Sequence, residues 1–385
     1  MVIGIIGSGA MGAGIAQVSA QNGCRTLVYD TDGTQLEKAR MLISNGLAKL
    51  VDKKKISSDF RELTLSNLEF VNELHSLSDC DLVLEAIVEV KEIKKELFSR
   101  LAKSVKPDCV IATNTSSLSV ASLASSLANP NRFLGIHFFN PATLMPLVEI
   151  IPGLSTDSSV VKNCRNLLIS WGKTVVIAKD TPGFIVNRLA RSYYSESIRI
   201  AEEQIADFAT IDWALKTFGG FRMGPFELMD FIGNDVNYRV TESVWTQFFY
   251  EPRFKPSLTQ QRLFESGFLG LKTGRGYYSY EEGASKPKAV EDPVLGQAIV
   301  ERVLAMLINE AVDSHYLGIA SAKDLDLAME KGVNYPKGLL KWGEEMGWKK
   351  VLKVLQNLFD WYGEDRYRPC VLLKSLAEET KEIDW

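Results

Sequence analysis

Only three histidines occur in the chain: His75, His137 and His315. A neutral-pH general base therefore has few candidates. His137 opens the segment H-F-F-N-P-A-T-L-M-P-L-V-E, which closes on Glu149. A histidine leaving one strand and a carboxylate on the next can meet across a hairpin, which orients an imidazole for proton abstraction. Upstream lies G-S-G-A-M-G from Gly7 to Gly12. Beside such a nucleotide-binding turn, the histidine and carboxylate read as metal-free alcohol oxidation. The bland alternatives are a core histidine at a strand end and a surface carboxylate.

The turn needs each of its glycines for a different reason. Gly7 permits the tight turn, Gly9 lets the backbone approach a pyrophosphate, and Gly12 lets helix and strand pack closely. Asp30 ends the next apolar run, 18 residues beyond Gly12 (30 − 12). A carboxylate there accepts hydrogen bonds from a ribose diol and repels a 2′-phosphate, so NAD is expected over NADP. Capping of the following helix is a second reading of Asp30.

The elements that must position these residues alternate in type. Val2–Ile6, Thr26–Tyr29, Leu82–Ala86, Val110–Thr113 and Leu134–Phe138 read as strands, and Leu147–Ile150 and Thr174–Ile177 extend the set. Met11–Asn22, Asp32–Val51, Glu92–Ser104 and Leu118–Ala128 read as helices. The alternation implies a doubly wound, mostly parallel sheet. Thr181-Pro182-Gly183 punctuates its end.

Beyond it the chain reads as helical and repeats itself. Ile185-Val186-Asn187-Arg188 aligns with Ile299-Val300-Glu301-Arg302 at an offset of 114 (302 − 188). Glu196 and Glu310, Asp212 and Asp326, Gly224 and Gly338, and Gly233 and Gly347 keep that offset. Arg253-Phe254-Lys255-Pro256 matches Arg366-Tyr367-Arg368-Pro369 at 113 (366 − 253). The polar stretch from Glu281 to Pro293 separates the copies. Three domains are expected: 1–180, an α/β Rossmann-type NAD-binding domain; 181–283, a first all-α domain; and 284–385, a degenerate second copy.

Composition narrows the function. The formal charge of −4 over 385 residues argues against bulk nucleic-acid binding. The five cysteines include no C-x-x-C pair, so reduced thiols in a cytoplasmic setting are expected, without a zinc site. The first apolar run is too short for a signal peptide, and no run approaches the ~18 residues that span a bilayer.

At this point the residues resemble a family. G-S-G-A-M-G-A-G-I-A-Q from Gly7, E-A-I-V-E from Glu85, T-N-T-S-S-L from Thr113, H-F-F-N-P from His137 and P-G-F-I-V-N-R from Pro182 are similar to the L-3-hydroxyacyl-CoA dehydrogenases, 3-hydroxybutyryl-CoA dehydrogenases among them. So are M-G-P-F-E-L-M-D from Met223 and L-K-T-G-R-G-Y-Y from Leu271. The resemblance implies helical domains of the 6-phosphogluconate-dehydrogenase-like type and NAD-dependent oxidation of an L-3-hydroxyacyl-CoA, in fatty-acid β-oxidation or related acyl-CoA metabolism. A dehydrogenase of a non-CoA 3-hydroxy acid and a non-catalytic structural relative remain the alternatives.

The resemblance also implies roles. His137 falls at the general base and Glu149 at its partner. Ser116 falls at the hydroxyl that contacts the substrate oxygen, with capping of the helix near Leu118 as its bland reading. Asn187 falls at the asparagine that the helical domain supplies. Gly7, Gly9, Ala10, Met11, Gly12, Asp30, Glu89, Lys94 and Asn114 fall at cofactor-contacting or supporting positions. Lys53 and Lys54 fall at a run that meets the CoA phosphates, unless they are only a solvated helix end. The second helical copy, with Glu301 where the first has Asn187, is expected to be silent and to dock on the first as an internal pseudo-dimer, in a monomer or homodimer.

Overall fold

A computed structural model describes residues 1–385, which divide into two compact units, Met1–Thr181 and Pro182–Trp385. The first holds β1 (Val2–Ile6), α1 (Ala10–Gln21), β2 (Arg25–Tyr29), α2 (Gly33–Asp52), α3 (Ser58–Ser66), β3 (Leu68–Val71), β4 (Leu82–Glu85) and α4 (Lys91–Leu101). It continues with β5 (Val110–Thr113), α5 (Val120–Ala124), β6 (Phe133–Phe138), β7 (Leu147–Pro152), α6 (Ser158–Ser170) and β8 (Thr174–Ile177).

The eight strands form one sheet in the order β3-β2-β1-β4-β5-β6-β7-β8. Every neighbouring pair is parallel except β6 and β7. The central strands are near-continuous apolar runs because helices cover both faces of such a sheet. Ile3, Ile5, Val28, Leu84, Ala112, Ile136, Val148 and Ile150 are buried in its core. Strand order reverses between β1 and β4, and the crevice at the carboxyl ends there is where sheets of this kind bind ligands.

Four elements depart from expectation. β3, α3 and α6 carry weak patterns; β3 is a half-buried edge strand of four residues. The helix expected over Leu118–Ala128 covers only Val120–Ala124. The Ser125 and Ser126 hydroxyls donate to the carbonyls of Ser122 and Leu123, turning the chain out of the helix.

The second unit is all helical. Its first half holds α7 (Val186–Leu189), α8 (Arg191–Glu202), α9 (Phe208–Thr217), α10 (Pro225–Ile232), α11 (Asn234–Gln247) and α12 (Leu258–Glu265). Its second holds α13 (Pro293–Tyr316), α14 (Ala322–Gly332), α15 (Leu339–Met346), α16 (Trp348–Tyr362) and α17 (Val371–Ala377). The residues that repeat at 114 have repeated jobs. Asp212 accepts the Phe226 and Glu227 amides at the start of α10, and Asp326 accepts those of Leu340 and Lys341 at the start of α15. Each carboxylate packs on a glycine: a Cβ on Gly224 or Gly338 would lie 2.2 Å from Asp212 or Asp326. Gly233 and Gly347 join consecutive helices at φ values of 105° and 83°, which favour glycine.

Gly338→Ala forces Asp326 off the helix start. Overpacking of this kind costs about 1–3 kcal/mol, which lowers Tm by about 2–4 °C per kcal/mol in a unit of this size. Thermal denaturation checks it, and an unchanged Tm would show that the carboxylate has room to move.

The two halves exchange charges. Arg188 of the first donates from Nε to Glu310 of the second at 2.6 Å, and Arg302 of the second donates from Nε to Glu196 of the first at 2.6 Å. Arg253 adds an ion pair to Glu310 at 3.2 Å, and Arg366 adds one to Glu196 at 3.1 Å. All six side chains are buried.

Candidate active site

The cofactor end of the site is built on β1, β2 and β4. Gly7 follows β1 at φ 97°, a conformation L side chains rarely adopt. A Cβ on Gly12 would stand 1.8 Å from the Gly7 carbonyl oxygen, so close packing there requires glycine. Gly9 differs: a Cβ on it would meet nothing within 4 Å. Gly9 is also the N-cap of α1 and makes no side-chain cap bond. An open space above exposed helix-start amides suits a pyrophosphate. Ala10 and Met11 are the first residues of α1.

A cleft of about 460 Å³ opens beside this turn, lined among others by Gly7, Gly9, Asp30, Ile87, Ile93 and Arg100. Asp30 Oδ2 accepts from the Ser8 amide and hydroxyl at 2.8 Å each, and Oδ1 accepts from the Asp32 amide at 3.1 Å. Capping of α2 belongs to Asp32, which accepts from the Thr34 amide. Asp30 thus braces the glycine loop while lining the cleft. A 2′-phosphate about 4 Å from this carboxylate meets a repulsion of about 4 kcal/mol per charge at an effective dielectric of about 20. kcat/KM with NADP is therefore expected to fall below that with NAD by at least about a hundredfold. Equal values for the two cofactors would remove Asp30 from cofactor choice.

His137 and Glu149 are register partners across the antiparallel β6–β7 pair. Directly opposed residues share one face of a sheet, with Cβ atoms about 5 Å apart. His137 Nδ1 and Glu149 Oε2 stand 2.7 Å apart, with the histidine 6% and the carboxylate 0% exposed. The pairing assigns the proton to Nδ1 and the basic lone pair to Nε2. The Phe139 ring lies 4.5 Å from the imidazole, centroid to centroid. Asn114, at the end of β5, accepts the Phe138 amide at 2.8 Å and so holds the histidine-bearing strand end. Lys173 donates to the carbonyls of Ala142 and Met145, tying down the loop between β6 and β7. Burial pushes its ammonium below the usual lysine range.

Ser116 is half-buried in the turn after β5. Helix α5 begins four residues later and is capped by Ser119, so Ser116 is not its cap. One carboxylate shapes the turn: Glu89 Oε1 accepts from the Thr115 hydroxyl at 2.5 Å, the Ser116 amide at 3.0 Å and the Ser117 amide at 3.2 Å. Burial alone would raise the Glu89 carboxyl, but Lys94 and these hydrogen bonds outweigh it and hold it below the usual range.

Lys94 is only 1% exposed and is gripped by Glu85 at 2.6 Å and Glu89 at 3.1 Å. It therefore supports the turn from beneath in this conformation, because both carboxylates compete for its ammonium. Glu85, 0% exposed, also accepts from the Ile87 amide and the Thr113 hydroxyl. In the sequence Glu85 stands out only as the start of E-A-I-V-E. Its place at the carboxyl end of β4, beside the strand-order reversal, was the available signal. Lys173 and Arg100 carried no signal.

Asn187 is half-buried in the second unit, on α7. Its carbonyl accepts from Arg191 Nε at 2.8 Å. Lys53 caps the C-terminus of α2, and Lys53 and Lys54 are both exposed.

Comparison with known proteins completes the picture. Residues 2–181 match the NAD-binding domain of 3-hydroxyacyl-CoA dehydrogenase, and residues 183–280 and 299–382 both match that family's C-terminal domain. The chain belongs to the 3-hydroxyacyl-CoA dehydrogenase family. It is 39% identical to the 3-hydroxyadipyl-CoA dehydrogenase of Escherichia coli, over 97% of each chain. It is 36% identical to the 3-hydroxybutyryl-CoA dehydrogenase of Bradyrhizobium diazoefficiens, over 74% of this chain and 97% of the relative. The crystal structure of 3-hydroxybutyryl-CoA dehydrogenase from E. coli superposes with a TM-score of 0.94 at 38% identity, over 98% of both chains. The protein is an NAD-dependent oxidoreductase with a Rossmann-type sheet and helical C-terminal region. No helix in it is long and apolar enough to cross a membrane.

Proposed function

We propose that the protein interconverts L-3-hydroxyacyl-CoA and 3-ketoacyl-CoA with His137 as the general base. The observation that carries this reading is the 2.7 Å pair of His137 and buried Glu149 inside an NAD-binding sheet. In the oxidising direction His137 Nε2 takes the proton of the C3 hydroxyl. Bound NAD⁺, beside the glycine turn and Asp30, would supply the acceptor for the C3 hydride. Glu149 holds the ring tautomer and stabilises the imidazolium that forms. Ser116 donates to the substrate oxygen from a turn that Glu89 and Lys94 hold in shape. Asn187 is the helical unit's contact with substrate. Such positioned donors are each worth a few kcal/mol in transition-state stabilisation.

An NADH absorbance assay with acetoacetyl-CoA, set against acetoacetate, tests the reading. Turnover of the thioester supports it. Turnover of the free acid alone would favour a non-CoA substrate, and no turnover of either would favour a structural relative. A short-chain acyl group is proposed from the E. coli and B. diazoefficiens 3-hydroxybutyryl-CoA enzymes named above. The E. coli 3-hydroxyadipyl-CoA enzyme points instead to a longer acyl group ending in a carboxylate. Comparing kcat/KM for acetoacetyl-CoA and 3-oxoadipyl-CoA separates them.

Lys53 and Lys54 are proposed to meet the CoA phosphates, because both are exposed and of one charge at a helix end. Replacing both with alanine should raise KM for acetoacetyl-CoA by about two- to thirtyfold, the worth of one or two exposed ion pairs at about 0.5–1 kcal/mol each. KM for a pantetheine thioester without those phosphates should not move. Equal effects on both substrates would leave the lysines as a solvated helix end.

The domains are proposed as 1–180, 181–283 and 284–385, with the last two forming an internal pseudo-dimer. The reciprocal charge exchange between them supports this arrangement, and a monomer or a homodimer through outer surfaces is then expected in light scattering. A cytoplasmic location is proposed because all five cysteines are unpaired and buried.

A further inference from the structure

We infer that Glu310, in the second helical copy, is a positioning residue for catalysis, acting through Arg188 on Asn187. The inference rests on the reading of Asn187 as a substrate contact.

Asn187 sits where the two copies differ in backbone. In the second copy one unbroken helix, α13, runs from Pro293 to Tyr316 and carries Glu301 within it. In the first copy the matching stretch is interrupted: α7 spans only Val186–Leu189, and α8 starts afresh at Arg191. The turn joins α8 through Ala190 alone, which keeps helical dihedrals and donates to the Val186 carbonyl at 3.0 Å. A turn this short adds few backbone bonds of its own, so side chains around it help to set its orientation.

Two arginines supply that support, both just after Asn187 in the chain. Arg191 donates from Nε to the Asn187 carbonyl at 2.8 Å, and from Nη1 to the Thr241 hydroxyl at 3.0 Å. Its Nη1 also donates to the Asn237 carbonyl at 3.4 Å, so all three partners of Arg191 lie in the first copy. Arg188, the residue next to Asn187, reaches the second copy. Its Nε donates to Glu310 at 2.6 Å, its Nη2 lies 3.9 Å from Asp313, and its guanidinium packs 4.9 Å from the Phe248 ring centroid. The two carboxylates are on α13. Arg253 holds them in turn, at 3.2 Å from Glu310 and 2.9 Å from Asp313. A short, charge-assisted bond in a buried site fixes direction as well as distance. The second copy, silent in chemistry, thus sets the angle at which Asn187 is presented.

The molecule contains its own control. Glu196 of the first copy holds Arg302 at 2.6 Å, and Arg302 is the neighbour of Glu301, the counterpart of Asn187. Glu196 and Glu310 are both fully buried, and each bonds two arginines. Their structural weight is alike, but only Glu310 acts next to Asn187.

The test is a set of full-length variants assayed below the Tm of each, using acetoacetyl-CoA and NADH. Glu310→Gln is expected to lower kcat about tenfold, equivalent to about 1.4 kcal/mol in the barrier, with KM for NADH unchanged. Glu196→Gln is expected to keep kcat within about twofold despite a similar fall in Tm. In the Asn187→Ala background, Glu310→Gln is expected to lower kcat no further, since neither change then has its own target. If Glu310→Gln does not accumulate folded, Glu310→Asp replaces it. That variant keeps the charge but ends one methylene short of Arg188, and kcat is expected to fall with little change in Tm.

Equal kcat losses for the Glu310 and Glu196 variants would overturn the inference, as would no loss for Glu310. Independent, multiplying losses in the double variant would also overturn it. If Asn187→Ala alone leaves kcat intact, the reading of Asn187 fails first and this inference falls with it. If Asn187→Ala is impaired and Glu310→Gln is not, only the inference fails.

Discussion

Replacing His137 by glutamine lowers kcat by about 10²–10⁴, the usual worth of a general base, while KM for NADH holds near its parental value. Glutamine keeps roughly the size of imidazole and can still bond toward Glu149, but it cannot take a proton at neutral pH. The cofactor cleft is built from other residues, Gly7, Gly9, Asp30 and Ile93 among them, so NADH binding has no reason to change. Glu149→Gln gives a smaller loss in kcat. Its amide oxygen still accepts from Nδ1–H and holds the tautomer, yet a neutral group stabilises imidazolium less than a carboxylate does. Steady-state turnover and cofactor fluorescence titration measure the two quantities. A His137→Gln enzyme that retained most of its turnover would remove His137 from the mechanism.

Truncation after Glu282 is expected to give a chain that aggregates or forms new dimers. The cut removes α13 to α17 and leaves Arg188, Arg253 and Glu196 in place. The carboxylates of Glu310 and Asp313 go from the two arginines, and Arg302, Arg366 and the Tyr367 hydroxyl go from Glu196. Removing one side of a buried ion pair costs about 3–5 kcal/mol, and two clusters are broken at once. Apolar surface on α8 and α9, where α13 packs, is uncovered as well. Total stability of an ordinary domain is about 5–15 kcal/mol. Light scattering should therefore report aggregates or new dimers. A truncated chain that stayed monomeric and fully active would show that the second copy is not needed to cover the first.

Much of this was legible in the residues because the physics was local. The glycine turn reads directly, since Gly7 and Gly12 are required by a positive φ and by a close approach to a carbonyl within six residues of chain. The sheet reads well where strands are buried on both faces, and poorly at β3, whose four residues at the sheet edge lack such a run. The Glu85–Lys94 pair was hidden for another reason. Glu85 and Lys94 are nine residues apart, and nothing in the spacing says that both will be sealed from water. The charge exchange in the helical unit was hidden by the repeat itself. Alignment sets Arg188 beside Arg302 and Glu196 beside Glu310, like with like, whereas the contacts join each arginine to the other copy's glutamate.

That crossing has an evolutionary consequence. Two identical subunits are encoded once, so any change that helps one site is imposed on the other. Joined in tandem, the copies mutate separately, but only where the exchange allows. Glu310 and Arg302 are tied to the first copy's arginine and glutamate, so a change at either is felt in both copies. The position beside Arg302 carries no such tie, and it holds Glu301 where the first copy has Asn187.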